Sequence, residues 1–234
     1  MSERAIIFTG ESIRAILEDR KTQTRRVISP QPSPHCAYVC KATNGWAWTD
    51  GSTRDYDYFP KDREALTCPY GVPGDRLWVR EGYALQASCD GDAPPFGKDR
   101  PIKFTGEDGL DWLQPHYRAT DPPPDLCCEE EGCKCCAEGE PGPHWKPSIF
   151  MPRWASRIAL ELTYVRVQRV QEINEEDARA EGIDGHDALV GQIANPYRTA
   201  YADLWDAINA KREHGAFAWD RNPWVWYLSF RRLL

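Results

Sequence analysis

The run from Ile158 to Val170 constrains the fold most. Leu160, Leu162 and Tyr164 recur at every second position, and alternate valines, Val165 and Val167, continue the run after a bend at Thr163-Tyr164. A two-residue period is that of a strand with one buried face. Strands commonly hold about five or six residues, so a run this long needs a sheet that can pair it throughout. A second alternating run near the end sets Trp224, Trp226, Leu228 and Phe230 against Val225, Tyr227 and Ser229.

Helices are signalled between such runs. Ala5-Ile6-Ile7-Phe8-Thr9 is apolar and strand-like, and Ile13, Ile16 and Leu17 then repeat at helical spacing. The β-branched Thr22, Thr24 and Val27 predict that the chain leaves this helix at Arg20-Lys21 and enters another strand. Gly71-Val72-Pro73-Gly74-Asp75 has the proline and glycine of a type II turn and launches Arg76 to Glu81 as a strand. From Ile173 to Ile183 a short helix is capped by Asn174, carries acids in its first turn and ends at Gly182. A last helix, about Tyr197 to Arg212, places Tyr201, Leu204, Trp205 and Ile208 on one apolar face. The mixture is α+β.

At 234 residues the chain suits one elaborated domain, residues 1–234, with an insertion at about 85–145 punctuated by Ala93-Pro94-Pro95 and Asp121-Pro122-Pro123-Pro124. A net charge of -7 argues against tight, nonspecific binding to duplex nucleic acid, which needs a basic field. A basic pocket on an acidic body suits a nucleoside, a nucleotide or a flipped base better. Met1-Ser2-Glu3-Arg4 opens no signal peptide and nothing approaches a membrane span, which places the chain in the cytoplasm, with no membrane partner. There its nine cysteines are expected as thiols or metal ligands.

The densest chemistry lies in Arg20-Lys21-Thr22-Gln23-Thr24-Arg25-Arg26. Strand alternation points Thr22, Thr24 and Arg26 one way and Lys21, Gln23 and Arg25 the other. Lys21 stands at the junction, where its amine could still turn towards the hydroxyls. Four cations and two hydroxyls in seven residues suit an anionic or polar ligand. In the strand after the turn, Leu77 and Val79 face one side while Arg76, Trp78 and Arg80 form an aromatic and basic face able to stack a base and contact phosphate. Arg153 and Trp154 offer a similar pair. Glu181 lies in the last turn of its helix, where the dipole disfavours a negative charge, so a structural role does not account for it.

Five cysteines crowd residues 127–136, and Cys133-Lys134-Cys135-Cys136 holds one C-x2-C spacing, which can bend around tetrahedral zinc. Cys128, Cys133 and Cys136 are the candidate ligands of a structural zinc. The alternative is a flexible acidic loop of free thiols, since Glu129, Glu130 and Glu131 raise thiol pKa values.

Lys21-Thr22-x-Thr24-x-Arg26 after a strand and helix resembles the opening motif of the ASCH domain family. Gly74-Asp75-Arg76-Leu77-Trp78-Val79 is similar to the family's Gly-Asp turn into a central strand, and Trp224 to Phe230 to its closing strand. Lys146-Pro147-Ser148-Ile149 and Met151 to Ile158 resemble blocks of ASCH-like proteins encoded by bacteriophages. The resemblance implies a PUA-like β-barrel with flanking helices and a large insertion, and a bacterial host cell as its setting. It also implies RNA binding or modified-nucleoside chemistry. By similarity to small members that hydrolyse N4-acetylcytidine, Lys21, Thr24 and Glu181 would be catalytic, with Glu176 as a competing position for the glutamate. Amide hydrolysis of that kind would require no cofactor. The rival expectations are a noncatalytic reader of single-stranded RNA or of a modified or flipped DNA base, with Thr22, Arg25 and Arg26 among its contacts, and a phage accessory protein that binds other proteins. Lysine-based RNA cleavage is a further reading for the family.

Overall fold

A computed structural model of the chain describes residues 2–32, 38–42, 45–49, 66–85, 115–121, 145–184 and 194–233. These residues form strands β1 (Glu3–Ile7), β2 (Gln23–Val27), β3 (Tyr38–Ala42), β4 (Gly45–Thr49), β5 (Arg76–Arg80), β6 (Tyr83–Leu85), β7 (Pro115–Tyr117), β8 (Ala159–Arg169) and β9 (Trp224–Leu233). The helices are α1 (Gly10–Leu17), α2 (Glu175–Ala180) and α3 (Pro196–Asn209). The architecture is α+β, built on a mixed five-stranded sheet of order β1-β5-β8-β9-β2; β3-β4 and β6-β7 form separate two-stranded sheets. Among the described residues the large sheet does not close into a barrel. The chain divides into two compact units, Met1–Arg4 with Ala15–Leu77 and Leu160–Leu234, and Ala5–Arg14 with Trp78–Ala159.

In the first unit β2 runs antiparallel to β9, with Gln23 opposite Ser229, Thr24 opposite Leu228, Arg25 opposite Tyr227, Arg26 opposite Trp226 and Val27 opposite Val225. Paired residues share a face. Val27 and Val225 belong to the cluster formed by Val170, Ile173, Ala178, Tyr201 and Trp205, so α2 and α3 cover the face that also carries Gln23 and Arg25. On the other face Trp226 meets Trp46 edge-on. The expected turn forms at Val72–Asp75: the Asp75 N–H donates to the Val72 carbonyl at 2.9 Å and Gly74 takes φ +93°. Asp75 accepts from the N–H groups of Ser2 (2.7 Å) and Val72 (3.2 Å), which hold its carboxyl down at about 2.

In the second unit the Val79 N–H donates to the Ile158 carbonyl at 3.0 Å, and a small core joins Tyr83, Met151 and Ala155 to Tyr117 and Trp154. Lys146 and Tyr83 exchange backbone hydrogen bonds at 2.7 and 3.2 Å. Arg157 holds Glu81 through two 3.0 Å contacts while its guanidinium lies 3.9 Å from the Tyr117 ring centroid. Burial raises the Glu81 pKa against that pairing.

Two local expectations differ from what forms. The buried stripe of α3 is Tyr201, Trp205 and Asn209, whereas Ile208 is exposed. Burial of Asn209 leaves its amide satisfied, donating to the Trp205 carbonyl and accepting from Arg212. In β5 the alternation of one buried and one open face fails: Leu77, Trp78 and Val79 are all buried, and the Arg80 and Arg153 guanidiniums lie over the Trp78 ring. Beyond Phe230, Arg231 and Arg232 extend β9 and pair with Glu161 (2.9 Å) and Asp19 (3.1 Å).

Candidate functional site

The junction after α1 sets the site. Asp19, at φ 56°, ends the helix, and the N–H groups of Arg20 and Lys21 both donate to the Ala15 carbonyl. Lys21 then forms an isolated antiparallel bridge with Glu181, and the Thr22 N–H donates to the Ala180 carbonyl at 2.9 Å. The chain therefore fastens the start of β2 to the end of α2 before any side chain contributes. Asn174 caps α2 as expected, accepting from the Asp177 N–H at 2.7 Å. Gly182 closes it at φ +81°, where a Cβ would stand 2.8 Å from that of Ala15 and 2.9 Å from that of Lys21. Only glycine admits this approach.

Side chains complete a buried charge network on the helix-covered face. The Lys21 ammonium donates to Glu181 Oε2 at 2.8 Å and to the Glu181 carbonyl at 2.6 Å. Arg25 donates to Glu181 Oε1 at 3.0 Å and to Asp177 Oδ2 at 2.7 Å. Its guanidinium is sandwiched near Tyr227 (4.9 Å) and Tyr201 (6.0 Å). Gln23 donates to the Asp177 carbonyl and side chain. Lys21, Arg25 and Glu181 expose 5%, 4% and 5% of their surfaces, so the network is dry enough for its charges to act strongly on one another. Burial lowers the Lys21 pKa, and Glu181 opposes that fall. Burial likewise pushes the Tyr201 phenol well above its usual range, and the Glu181 charge adds to the effect.

Of the residues singled out in the sequence, Lys21, Arg25 and Glu181 come together. Thr24 does not join them: it pairs with Leu228 on the opposite face of β2, with Arg26, while Thr22 is exposed. The Lys21 amine turns to Glu181 instead of the threonine hydroxyls, because the bridge at Lys21 already carries the alternation that puts it beside Gln23 and Arg25. Glu176, the competing position, lies in the first turn of α2. Asp177, Gln23, Tyr201 and Tyr227 are partners that reading the sequence missed. The signal for Asp177 was present, since Asp177 and Glu181 are four residues apart and share a helix face.

The other candidates gather in the second unit. Trp78 is 9% exposed, with the Arg80 guanidinium 4.6 Å and that of Arg153 6.0 Å from its ring centroid. Arg80 also donates to the Ile149 carbonyl. Trp154 packs partly buried against the Tyr83 cluster. Arg76, in the first unit, is exposed. Cys128, Cys133 and Cys136 lie outside the described residues, among which no group of three or more His, Cys, Asp or Glu gathers as a metal site. Among the described residues no helix is long and apolar enough to cross a membrane.

No protein-family model matches this chain, and neither a curated protein nor a solved structure does.

Proposed function

We propose that the chain is a PUA-like, ASCH-type domain that recognises a modified nucleoside and hydrolyses the N4-acyl amide of an acylated cytidine. The observation that carries this reading is the buried contact of Lys21 with Glu181, flanked by Arg25. A buried ion pair is weak evidence for stability, and strongly perturbed ionisable groups concentrate at functional sites. The chemistry is amide plus water to amine plus carboxylic acid. Lys21, whose pKa burial lowers, first passes its proton to Glu181 and then, as the neutral amine, takes a proton from water as the oxygen attacks the acyl carbon. Arg25 faces the developing oxyanion, and Nε of its buried guanidinium has no acceptor among the described residues. The C–N bond breaks as Lys21 and Glu181 return the proton to the exocyclic nitrogen. With Thr24 on the far face of β2, the nucleophile in this reading is water and not the threonine.

The test is release of cytidine and acetate from N4-acetylcytidine by purified protein, with products identified by mass. Lys21→Met should lower turnover by about 100-fold or more, while Thr24→Val should lower it less than about tenfold. No release at high enzyme concentration would sink the hydrolase. The same near-closure of Lys21 and Glu181 favours a second reading, in which the pair is a fixed part of a noncatalytic reader. Salt-dependent binding of a modified oligonucleotide without turnover would support it.

A further inference from the structure

The second unit contains a cavity of about 460 Å³ that is separate from the Lys21 network and unused by the reading above. Its wall carries Arg14, Arg118 and Lys146 against one carboxylate, Glu81, and includes Trp145 and Ser148. Glu81 does not offset Arg14 and Arg118, because Arg157 already engages both of its oxygens at 3.0 Å. The cavity is thus a locally positive hollow on a chain of net charge -7.

Each cation stands on a fixed backbone position. Arg14 lies in α1, and its Nη1 donates to the Ala119 carbonyl at 2.9 Å, tying the segment after β7 to the helix. The Arg118 N–H donates to the Gly82 carbonyl at 2.9 Å, and Lys146 is pinned by its backbone exchange with Tyr83. Neither Arg14 nor Arg118 forms an ion pair with a carboxylate among the described residues. Two guanidiniums on the wall of one hollow are a donor set for a compact polyanion. The volume falls in the range of about 300–1,000 Å³ used by small-molecule sites, leaving room for an organic body beyond the anion.

We propose that this cavity binds the phosphate monoester of a small organic molecule of up to nucleotide size. Adenosine 5′-monophosphate, ribose 5-phosphate, inorganic phosphate and adenosine are titrated by calorimetry into the full chain at low and high salt. Expected are saturable, salt-weakened binding of at least one of the two esters and none of adenosine. Arg14→Gln and Arg118→Gln should each weaken the ester by about tenfold, the scale of one charge-assisted contact. Both arginines are exposed, so circular dichroism of the two variants should match the parent. Binding of both esters identifies the phosphate and its sugar as the recognised part, and binding of the nucleotide alone adds the base. The proposal is overturned if adenosine binds as tightly as its phosphate, if only inorganic phosphate binds, if no ester saturates at millimolar concentration, or if Arg14→Gln and Arg118→Gln both bind like the parent. None of these outcomes depends on hydrolysis of an acylated cytidine.

Discussion

Replacing Glu181 with Gln tests the buried charge network directly. In the parent, Lys21 and Arg25 face Glu181 and Asp177, and Arg166 reaches Asp177 at 3.9 Å. The substitution removes one of the two carboxylates, and the Lys21 ammonium meets a neutral amide where it had Glu181 Oε2. Removing one partner of a buried pair costs about 3–5 kcal/mol. A ceiling follows from proton linkage, because Lys21 can escape its penalty by deprotonating. From the ordinary value of 10.5, that costs about 4.8 kcal/mol at pH 7 and about 2 kcal/mol at pH 9, at about 1.4 kcal/mol per unit. A cation whose folded pKa lies below its unfolded value binds fewer protons when folded, so stability rises with pH from the folded value up to 10.5. Glu181→Gln removes the influence that holds the Lys21 pKa up, and therefore widens this window towards neutral pH. The expected loss is about 3–4 kcal/mol at pH 7, shrinking to about 2 kcal/mol or less at pH 9. Urea unfolding followed by tryptophan fluorescence at both values measures it. Lys21→Met should cost less at pH 7, about 1–2 kcal/mol, because Glu181 keeps Arg25. An equal loss for Glu181→Gln at the two pH values, or a larger loss at pH 9, would refute the reasoning.

Other perturbations isolate the frame around that network. Gly182→Ala should destabilise by about 3 kcal/mol or more in thermal unfolding, because the residue is at φ +81° and its new Cβ would press on two Cβ atoms that cannot swing aside; a loss below about 1 kcal/mol would show that α2 can shift. Asn174→Ala removes the cap of α2 and should cost about 1 kcal/mol, whereas Asn174→Asp should restore most of it. Asp75→Asn should cost about 1–2 kcal/mol at neutral pH. Because the Asp75 pKa is depressed to about 2, its contribution is present above the ordinary carboxylate range and is lost as pH falls through about 2. Parent and variant should therefore converge in acid unfolding scans, and a constant difference down to pH 2 would contradict the assignment.

Local pattern made much of this legible. The alternation of Ile158–Val170 and Trp224–Phe230 became β8 and β9, and the Pro-Gly turn and the Asn174 cap formed where their side-chain chemistry placed them. Glu181 stood out because its charge opposed its helix end, and the fold explains it by a cation from a distant strand. What local pattern could not show was what packs on each face of a strand. Trp78 looks half-exposed from its neighbours in sequence, but the guanidiniums of Arg80 and the distant Arg153 lie over its ring. The role of Asp177 was masked for a different reason: its place in the first turn of α2 already satisfied a local rule, which drew attention away from the helix face it shares with Glu181 and from its bond to Arg25.

The bridge between Lys21 and Glu181 joins residues 160 positions apart, and it is made by main chain as well as side chain. Its geometry is consequently set at the two ends of a very long loop and not along it. The entropy of closing a loop grows only logarithmically, so doubling the intervening chain would add about 0.6 kcal/mol to the cost of bringing the ends together. Connections between the strands and helices that frame the two residues can therefore lengthen at small entropic cost, whereas β2 and α2, which carry Gln23, Arg25 and Asp177, cannot diverge. A fragment ending before residue 174 would hold the lysine without its partner, whatever else of the chain it retained. The site is thus tolerant of length and intolerant of truncation.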